Sequence, residues 1–239
     1  MKDIILLPTY NEKRNIELII SQIFNLHPDI HILVIDDNSP DRTAEVVKQL
    51  MKKYPHLSLL ERQQKTGLGD AYKDAISRIM FDEEVRSIIT MDADGSHDPK
   101  YLKDLLFRSN DYDLVIGSRY IKGGGVENWE FWRRCLSRFG NLYSKMLTRL
   151  GISDLTAGFM CINRKILGKV DLTKIGSTGY SFLIELKFYL IKKYQVRAIE
   201  IPIIFKSRRE GESKLSNQII GEGLKTPLRI FFKQIWRQV

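Results

Sequence analysis

Long apolar runs are missing from this 239-residue sequence, which limits its relation to a membrane. No stretch approaches the roughly 18 consecutive apolar residues that a membrane-spanning helix requires. The apolar run that opens the chain stops at Pro8 and follows an acidic residue, Asp3, so it is too short and too acidic for a secretory signal peptide. We therefore expect a chain that neither spans a membrane nor enters secretion unless a partner anchors it.

Cysteine is also scarce, and two common phosphate-binding motifs are absent. Cys135 and Cys161 show no metal or redox spacing, which fits a reducing, cytosolic compartment. No Gly-x-x-x-x-Gly-Lys-Ser/Thr sequence occurs, which excludes a P-loop, and no Gly-x-Gly-x-x-Gly follows the first apolar run, which argues against a dinucleotide-binding fold. The aromatic signatures of RNA-binding modules are missing as well.

Positive charge is what the sequence has in excess, and it is concentrated in two segments. The net charge is +9, with seven Lys or Arg against two Glu in residues 119–149 and eight against three in residues 206–239. The rest of the chain is close to neutral. Such segments suit a polyanionic partner (a phosphate-bearing substrate, nucleic acid or an anionic lipid surface), although a soluble basic face explains the same charge.

Apolar runs rich in β-branched residues alternate with helix-period stretches along the first half of the chain. The runs lie at residues 4–7, 30–35, 57–60, 87–91 and 113–116, and the stretches lie near 12–25, 41–54, 69–81 and 99–108. This alternation predicts an α/β fold with a mostly parallel, Rossmann-like sheet and helices on both faces. Ligands bind such sheets beyond the carboxyl ends of the strands, where polar residues follow four of these runs.

The second half of the chain predicts one more strand and two amphipathic helices with basic stripes. The strand covers 197–205, one helix covers about 128–150, and the other begins around Thr226 with Pro227 in its first turn. The last helix carries an apolar face (Leu228, Phe231, Phe232, Ile235, Trp236) and a basic stripe (Lys225, Arg229, Lys233, Arg237). We expect a catalytic domain over 1–215 and a C-terminal amphipathic helix over 216–239. That helix either packs on the same domain or rests on a membrane surface.

Two acidic pairs follow predicted strands and suit nucleotide chemistry. Asp92 and Asp94 are separated by one residue, a spacing at which two carboxylates bind a hard ion, Mg²⁺ or Mn²⁺, that neutralises a departing diphosphate. Asp36 and Asp37 can accept hydrogen bonds from a ribose or a base. Carboxylates of ordinary surface turns are the alternative for the first pair.

Seven short motifs occur in order between residues 4 and 215. They are Pro8-Thr9-Tyr10-Asn11-Glu12, Asp36-Asp37-x-Ser39-x-Asp41-x-Thr43, Gly67-Leu68-Gly69, Asp92-Ala93-Asp94, Gly117-Ser118-Arg119-Tyr120, Asp154-x-x-x-Gly158-Phe159 and Gly211-Glu212-Ser213-Lys214. This set resembles the dolichol-phosphate (polyprenyl-phosphate) mannose synthases, which are inverting family 2 glycosyltransferases with the GT-A fold. Two departures stand out: Arg42 replaces a usual glycine, and Ser96 replaces a metal-binding glutamine found in many members.

The resemblance implies a role for each matching residue. The residues that it implies for nucleotide contacts are Pro8, Tyr10, Glu12, Ile35 and Asp37. Those for metal and diphosphate contacts are Asp92, Ala93 and Asp94. Those for binding the phosphates of donor and acceptor are Arg119, Arg208 and Lys214. Among these, Asp94, Arg119 and Arg208 are expected to carry catalysis, and Asp92 and Asp94 the metal. Composition alone allows the loop of Arg208 and Lys214 to be an exposed basic loop.

The implied activity is transfer of mannose from GDP-mannose to dolichyl or polyprenyl phosphate with inversion. The implied setting is peripheral, on the cytoplasmic face of a membrane: the endoplasmic reticulum in a eukaryote, the plasma membrane in a prokaryote. A small membrane-anchoring subunit is a further partner that the resemblance allows. The alternatives are a UDP-glucose-dependent polyprenyl-phosphate glucosyltransferase and a basic nucleic-acid-binding module. A processive polysaccharide synthase fits poorly, because Gln234-Ile235-Trp236-Arg237 lacks the Gln-x-x-Arg-Trp order.

Overall fold

A seven-stranded sheet forms the centre of the protein, for which a computed structural model describes residues 1–207 and 217–235. The strands of this sheet are β1 (Lys2–Thr9), β2 (His31–Asp36), β3 (Leu57–Glu61), β4 (Val85–Thr90), β5 (Leu114–Ser118), β7 (Met160–Asn163) and β8 (Ala198–Pro202). Their order is β3-β2-β1-β4-β7-β5-β8, and every pair is parallel except those of β7. A small second sheet pairs β6 (Gly125–Val126) with β9 (Ile204–Phe205).

Helices cover both faces of the sheet. They are α1 (Lys13–Leu26), α2 (Thr43–Met51), α3 (Leu68–Ile79), α4 (Leu102–Arg108), α5 (Phe131–Thr148), α6 (Arg164–Leu167), α7 (Ser181–Phe188) and α8 (Asn217–Ile235). The core is accordingly split in two: α1, α2 and α4 pack on one face, and α3, α6, α7 and α8 on the other. The prediction of a mostly parallel sheet between helices is confirmed.

The strands could be recognised in the sequence because they are buried. β1 and β2 lie inside the sheet, so residues pointing to both faces are buried, and each reads as a continuous apolar run rather than an alternating one. α1 shows the opposite pattern, because only its Ile16–Ile19–Ile20–Ile23 stripe faces the sheet.

Several elements differ from the predictions. The single strand predicted over 197–205 is divided into β8 and β9, which belong to different sheets. β7, which no predicted run covers, inserts antiparallel between β4 and β5 and brings the 153–158 segment beside the ends of both. The last helix begins at Asn217 rather than near Thr226, so Pro227 lies inside α8 and not in its first turn. The prediction of its start was wrong, since proline favours a first turn but does not require one.

Candidate active site

The first wall of the site is built where β1 and β2 end side by side. Thr9 closes β1, and its hydroxyl donates to Asp36 Oδ1 at 2.9 Å. The Asp37 amide donates to the Thr9 carbonyl at 3.1 Å, which holds the two strand ends together. Glu12 is buried, and its amide donates to Thr43 Oγ1 at 3.1 Å. The residues after both strands are therefore fixed against each other.

A pocket of about 450 Å³ opens next to these strand ends. One side presents Pro8, Tyr10 and Asp37, which the sequence assigns to a nucleotide site, whereas Ile35 is buried in the core beside Pro8 and does not line the pocket. The opposite side comes from distant parts of the chain, namely residues 65–68, 178–180 and Glu222 of α8. An aromatic ring and a carboxylate facing one cavity suit stacking and hydrogen bonding to a base.

Lys65 of the pocket lining and Arg62, which binds Asp37 of that lining, are absent from the predicted site residues. Arg62 donates from Nη1 to Asp37 Oδ1 at 2.5 Å and from Nε to Asp74 at 2.7 Å, while its Nη2 donates to the Thr66 hydroxyl at 2.6 Å. The Lys65 ammonium lies 3.8 Å from the centroid of the Tyr10 ring, a cation–π contact. The sequence held one indication of the role of Arg62: this basic residue directly follows β3, and the neighbouring strand β2 leads into Asp36-Asp37.

Gly67 and Gly69 allow the two sides of the pocket to pack closely together. Gly67 has φ +124°, and a Cβ there would lie 2.3 Å from the Thr178 carbonyl oxygen. A Cβ on Gly69 would lie 2.7 Å from Phe182 Cβ, and the Gly69 amide donates to the Thr178 carbonyl at 2.6 Å. These glycines therefore serve close packing between the start of α3 and residues 177–182.

The acidic turn after β4 lies beside the end of β1. Asp94 is buried and accepts from the Ser96 amide at 3.0 Å, whereas the Asp92 side chain is 26% exposed. His97 is buried, and its Nδ1 accepts from the Asp92 amide at 2.9 Å. Burial lowers the pKa of His97, which keeps this nitrogen an acceptor. His97 thus holds the turn, as a structural histidine.

The acidic turn fits a divalent cation that keeps part of its water shell. Asp92 and Asp94 supply carboxylate oxygens, and the Ser96 hydroxyl is a fully buried oxygen with no hydrogen-bond partner. Within residues 1–207 and 217–235, no group of three His, Cys, Asp or Glu side chains could by itself hold a metal. Two carboxylates with a neighbouring hydroxyl match Mg²⁺, which takes its remaining ligands from water and substrate phosphates.

Arg119 lies at the end of β5 in a buried ion pair. Its Nε and Nη2 donate to the two oxygens of Asp154 at 2.7 and 2.8 Å, and Nη2 also donates to Thr156 Oγ1 at 2.6 Å. Burial opposes the charge of both groups, yet the mutual contact raises the pKa of Arg119 and lowers that of Asp154. Arg119 is therefore a fixed positive charge, 9% exposed, rather than a mobile one.

The 153–158 segment that carries Asp154 is held by side chains from four other elements, of which Asn141, Thr90 and Lys187 are buried and Glu200 is half-buried. Glu200 of β8 accepts from the Ser153 and Asp154 amides, and Asn141 of α5 bonds the Ser153 carbonyl and the Leu155 amide. Thr90 of β4 donates to the Gly158 carbonyl at 2.6 Å. Lys187 of α7 donates to the carbonyls of Leu155 and Ala157 at 3.0 and 2.5 Å. These four side chains are separated in sequence from the 153–158 segment, so motif spacing gave no indication of their contacts.

α8 turns its polar stripe towards the protein. Arg229 donates to Glu185, a fully buried carboxylate of α7, at 2.7 Å, and Lys233 lies 3.4 Å from its other oxygen. Nearer the pocket, Glu222 accepts from the Thr178 and Gly179 amides at 3.2 Å each. Arg229 and Lys233 belong to the predicted basic stripe of this helix, and both contact Glu185.

The outer face of α8 is apolar and continues onto α5. Exposed apolar side chains on α8 include Leu224, Leu228, Phe232 and Ile235, and those on α5 include Phe131, Trp132, Leu136, Phe139, Leu142 and Met146. The two helices are in contact, with the Tyr143 hydroxyl donating to the Leu224 carbonyl at 3.0 Å. A joined apolar face of this kind marks an interaction surface. Across the described residues, no helix combines the length and apolarity needed to cross a membrane.

The described strand ends carry nearly all of the predicted site residues. Pro8, Tyr10, Glu12, Ile35 and Asp37 lie at the ends of β1 and β2, Asp92, Ala93 and Asp94 after β4, and Arg119 after β5. Arg208 and Lys214, with Trp236 and Arg237, lie outside the described residues.

Known proteins similar to this chain were found by sequence. The model of the family described as Glycosyl transferase family 2 matches residues 4–171. The chain is 39% identical to the polyprenol monophosphomannose synthase of Mycolicibacterium smegmatis, over 93% of this chain and 84% of that protein. It is 36% identical to the undecaprenyl-phosphate mannosyltransferase of Micrococcus luteus, over 94% and 91%. It is 35% identical to the dolichol-phosphate mannosyltransferase of Pyrococcus furiosus, over 96% and 64%. The expected family is confirmed.

Solved structures show the same fold at low sequence identity. Glucosyl-3-phosphoglycerate synthase from Mycobacterium tuberculosis, in complex with Mn²⁺, UDP and glucosyl-3-phosphoglycerate, superposes with a TM-score of 0.68 at 15% identity, over 97% of this chain and 79% of that chain. Another crystal structure of that enzyme gives 0.67 at 16%, over 97% and 80%. This likeness confirms the predicted GT-A-like fold.

Proposed function

The chain belongs to glycosyl transferase family 2, and we propose that it transfers mannose from GDP-mannose to a polyprenyl phosphate, dolichyl phosphate included, with inversion at the anomeric carbon. One observation carries the proposal: the nucleotide-sized pocket, the Asp92–Asp94 pair and Arg119 lie on one edge of the sheet. The relatives named above, 35–39% identical, are named for mannose transfer to polyprenol, undecaprenyl phosphate and dolichol phosphate, which supports the sugar and acceptor class.

The donor's nucleotide fits the pocket between Tyr10 and Asp37. The Tyr10 ring can stack on a base once Lys65 moves aside, and the Asp37 carboxylate can accept from ring N–H groups. Guanine presents two adjacent donors, which can both donate to the Asp37 carboxylate. Uracil presents one donor between two acceptors, so UDP-glucose is the second candidate donor.

The diphosphate of the donor would lie over the turn that holds Asp92 and Asp94. A divalent ion there, Mg²⁺ or Mn²⁺, supplies positive charge that stabilises the departing nucleoside diphosphate. The chain's own contribution is to hold the backbone at Asp92, through its amide contact with His97, and the Asp94 carboxylate, through the Ser96 amide. A rigid turn of this kind spares reorganisation during the reaction.

The acceptor needs no general base from the protein. A lipid monophosphate has a second pKa of about 6, so it is largely dianionic near neutral pH and can attack the anomeric carbon directly. Arg119 offers it a positive charge that Asp154 keeps oriented. Arg208 and Lys214 are proposed as further phosphate ligands. Attack opposite the leaving diphosphate gives a β-linked product from an α-linked donor.

The apolar face of α5 and α8 is proposed to rest on an anionic lipid surface, on the cytoplasmic side of the membrane that holds the acceptor. Exposed cations border this face, among them Arg134, Arg138, Arg149 and Lys225. Each cation near an anionic surface adds roughly 1 kcal/mol, and buried apolar side chains add more. The polyprenyl tail remains in the bilayer, so an enzyme acting on its phosphate works at headgroup level. An anchoring subunit is the alternative occupant.

Release of nucleoside diphosphate tests the reaction. Purified protein is incubated with GDP-mannose, UDP-glucose or UDP-GlcNAc, with and without polyprenyl phosphate and Mg²⁺. We expect acceptor-dependent release of GDP, lost in excess EDTA and in Asp94→Ala. Full activity in EDTA would overturn the metal assignment, and release of UDP alone would overturn the donor.

Liposome flotation tests the surface. The double variant Leu228→Ser/Phe232→Ser should lose binding to anionic vesicles that the parent retains. Phe107→Ser is the matched control, because Phe107 is 65% exposed on α4, on the opposite face of the sheet. Equal binding of all three proteins, or of none, would contradict this part of the proposal.

A further inference from the structure

Lys187 is a completely buried charged residue of the largely apolar helix α7, whose other charged residue, Glu185, is paired with Arg229 and Lys233. All eight residues of α7 are buried, and the accessible surface of Lys187 is zero. Burying an ammonium group is costly unless it is paired or hydrogen-bonded, so a lysine here calls for an explanation. Its ammonium donates to two backbone carbonyls, those of Leu155 and Ala157. These carbonyls flank Thr156, whose hydroxyl accepts from Arg119.

The contacts of Lys187 lead directly to the arginine of the site. Fixing Leu155 and Ala157 sets the backbone on both sides of Thr156, and Asp154 precedes them by one residue. Asp154 and Thr156 together engage two nitrogens of Arg119. A shift of the 153–158 segment would therefore move or rotate the guanidinium, and a misplacement of about 1 Å can cost about a hundredfold in rate.

We propose that Lys187 is a positioning residue for the transfer reaction, holding the 153–158 segment so that Asp154 and Thr156 present Arg119 to the substrate phosphate. This inference rests on the proposed function, because that function gives Arg119 a phosphate to bind. Lys187 itself touches no substrate. Its role is distinct from that of Glu200 and Asn141, which bind other backbone groups of the same segment.

The charges around Lys187 explain how it is tolerated. Asp154 of the segment, Glu200 of β8 and Arg119 of β5 are the charged groups that influence it. Burial is the largest effect and lowers the pKa of Lys187 to about 7, despite the two carboxylates. The neutral amine keeps two N–H donors, so both carbonyls remain bound on either side of that pH.

Kinetics of paired variants test the role. Lys187→Met removes the amine with its donors and keeps an unbranched apolar chain that ends at the Cε position, while Lys193→Met, at an exposed lysine after α7, is the matched control. At a temperature where both variants are folded, we expect Lys187→Met to lower kcat by about tenfold to a hundredfold. The donor KM should change by less than threefold, and Lys193→Met should match the parent. Lys187→Gln, which keeps an amide donor, should recover part of the rate, and it takes the place of Lys187→Met if the latter does not fold.

A double-variant cycle shows whether the effect passes through Arg119. Arg119→Lys keeps the charge opposite Asp154 and loses the two-pronged contact. In that background Lys187→Met should lower kcat by less than about threefold, because the geometry it protects is already gone. An equal loss in both backgrounds, or a parental kcat in Lys187→Met, would overturn the inference. A parent without transferase activity would instead refute the proposed function.

Discussion

Asp154→Asn is a substitution for which the structure predicts a large loss of stability. Asp154 has zero exposure and accepts from the Arg119 amide, Nε and Nη2 and from the Thr156 hydroxyl at 2.7–3.2 Å. An asparagine keeps the size but removes the negative charge, leaving the nearly buried Arg119 uncompensated. Breaking a buried ion pair in this way costs about 3–5 kcal/mol.

Urea unfolding of the parent and Asp154→Asn at pH 7 measures this loss. The control is Glu61→Gln, which removes an ion pair of similar length, 2.8 Å to Lys48, with both side chains 50% exposed. Exposed pairs contribute at most about 1 kcal/mol, so the control should stay within that range. A loss below about 1 kcal/mol in Asp154→Asn would refute the reasoning, since Arg119 would then be stable without its partner.

The same pair predicts a pH dependence. Contact with Arg119 lowers the pKa of Asp154 in the folded protein below its unfolded value. The unfolded chain therefore binds more protons as the carboxyl titrates, and the stability from this group is present above the unfolded pKa of about 3.9 and lost as the pH falls through the folded value. Asp154→Asn should show a weaker loss of stability in acid than the parent. Equal acid sensitivity would show that the pair does not contribute.

Three further predictions concern the pocket wall, α8 and Lys187. Gly67→Ala should weaken donor binding and stability together, measured by GDP titration and thermal unfolding, because φ is +124° and the new Cβ would meet the Thr178 carbonyl oxygen; unchanged GDP affinity would count against it. Glu185→Gln should lower the unfolding free energy by about 2 kcal/mol, since a buried acceptor for Ser177 and Arg229 loses its charge, and a loss under 0.5 kcal/mol would contradict this. Lys187 has a pKa of about 7 in the folded protein and of about 10.4 in the unfolded chain. Between these pH values the unfolded chain binds one more proton than the folded protein, so the free energy of unfolding of the parent should rise as the pH increases from 7 to 10. Lys187→Met should lack this rise.

The strands and the ends of β1, β2, β4 and β5 could be predicted from the sequence because their causes are local. A strand buried on both faces must be apolar along its length, and a ligand edge must be polar directly after it. Asp92 and Asp94 could be placed for the same reason. Their position follows from the end of β4 and needs no knowledge of distant residues.

The partners of these residues could not be predicted, because they come from far along the chain. Asp154 lies 35 residues from Arg119, and Asn141 and Lys187 hold its segment from two helices. β7 was missed because only Ile162 of its four residues is β-branched, which gives it a weak strand pattern. Lys187 was missed because a lysine in a short helix that also carries Glu185 looks like a surface position until its two carbonyl partners are known.

The polarity of α8 shows why an apolar stripe alone does not say which way a helix faces. Most amphipathic helices bury the apolar stripe, and burial is favourable by about 25 cal/mol per Å². In α8 the apolar stripe faces outwards, with Phe232 56% exposed and Ile235 58% exposed. Rotating the helix to bury this stripe would withdraw Arg229 and Lys233 from Glu185 and leave that fully buried carboxylate without its cations, which costs several kcal/mol. The contacts with Glu185 therefore fix the orientation of α8. This orientation leaves the apolar stripe exposed to water, and a lipid surface would cover it.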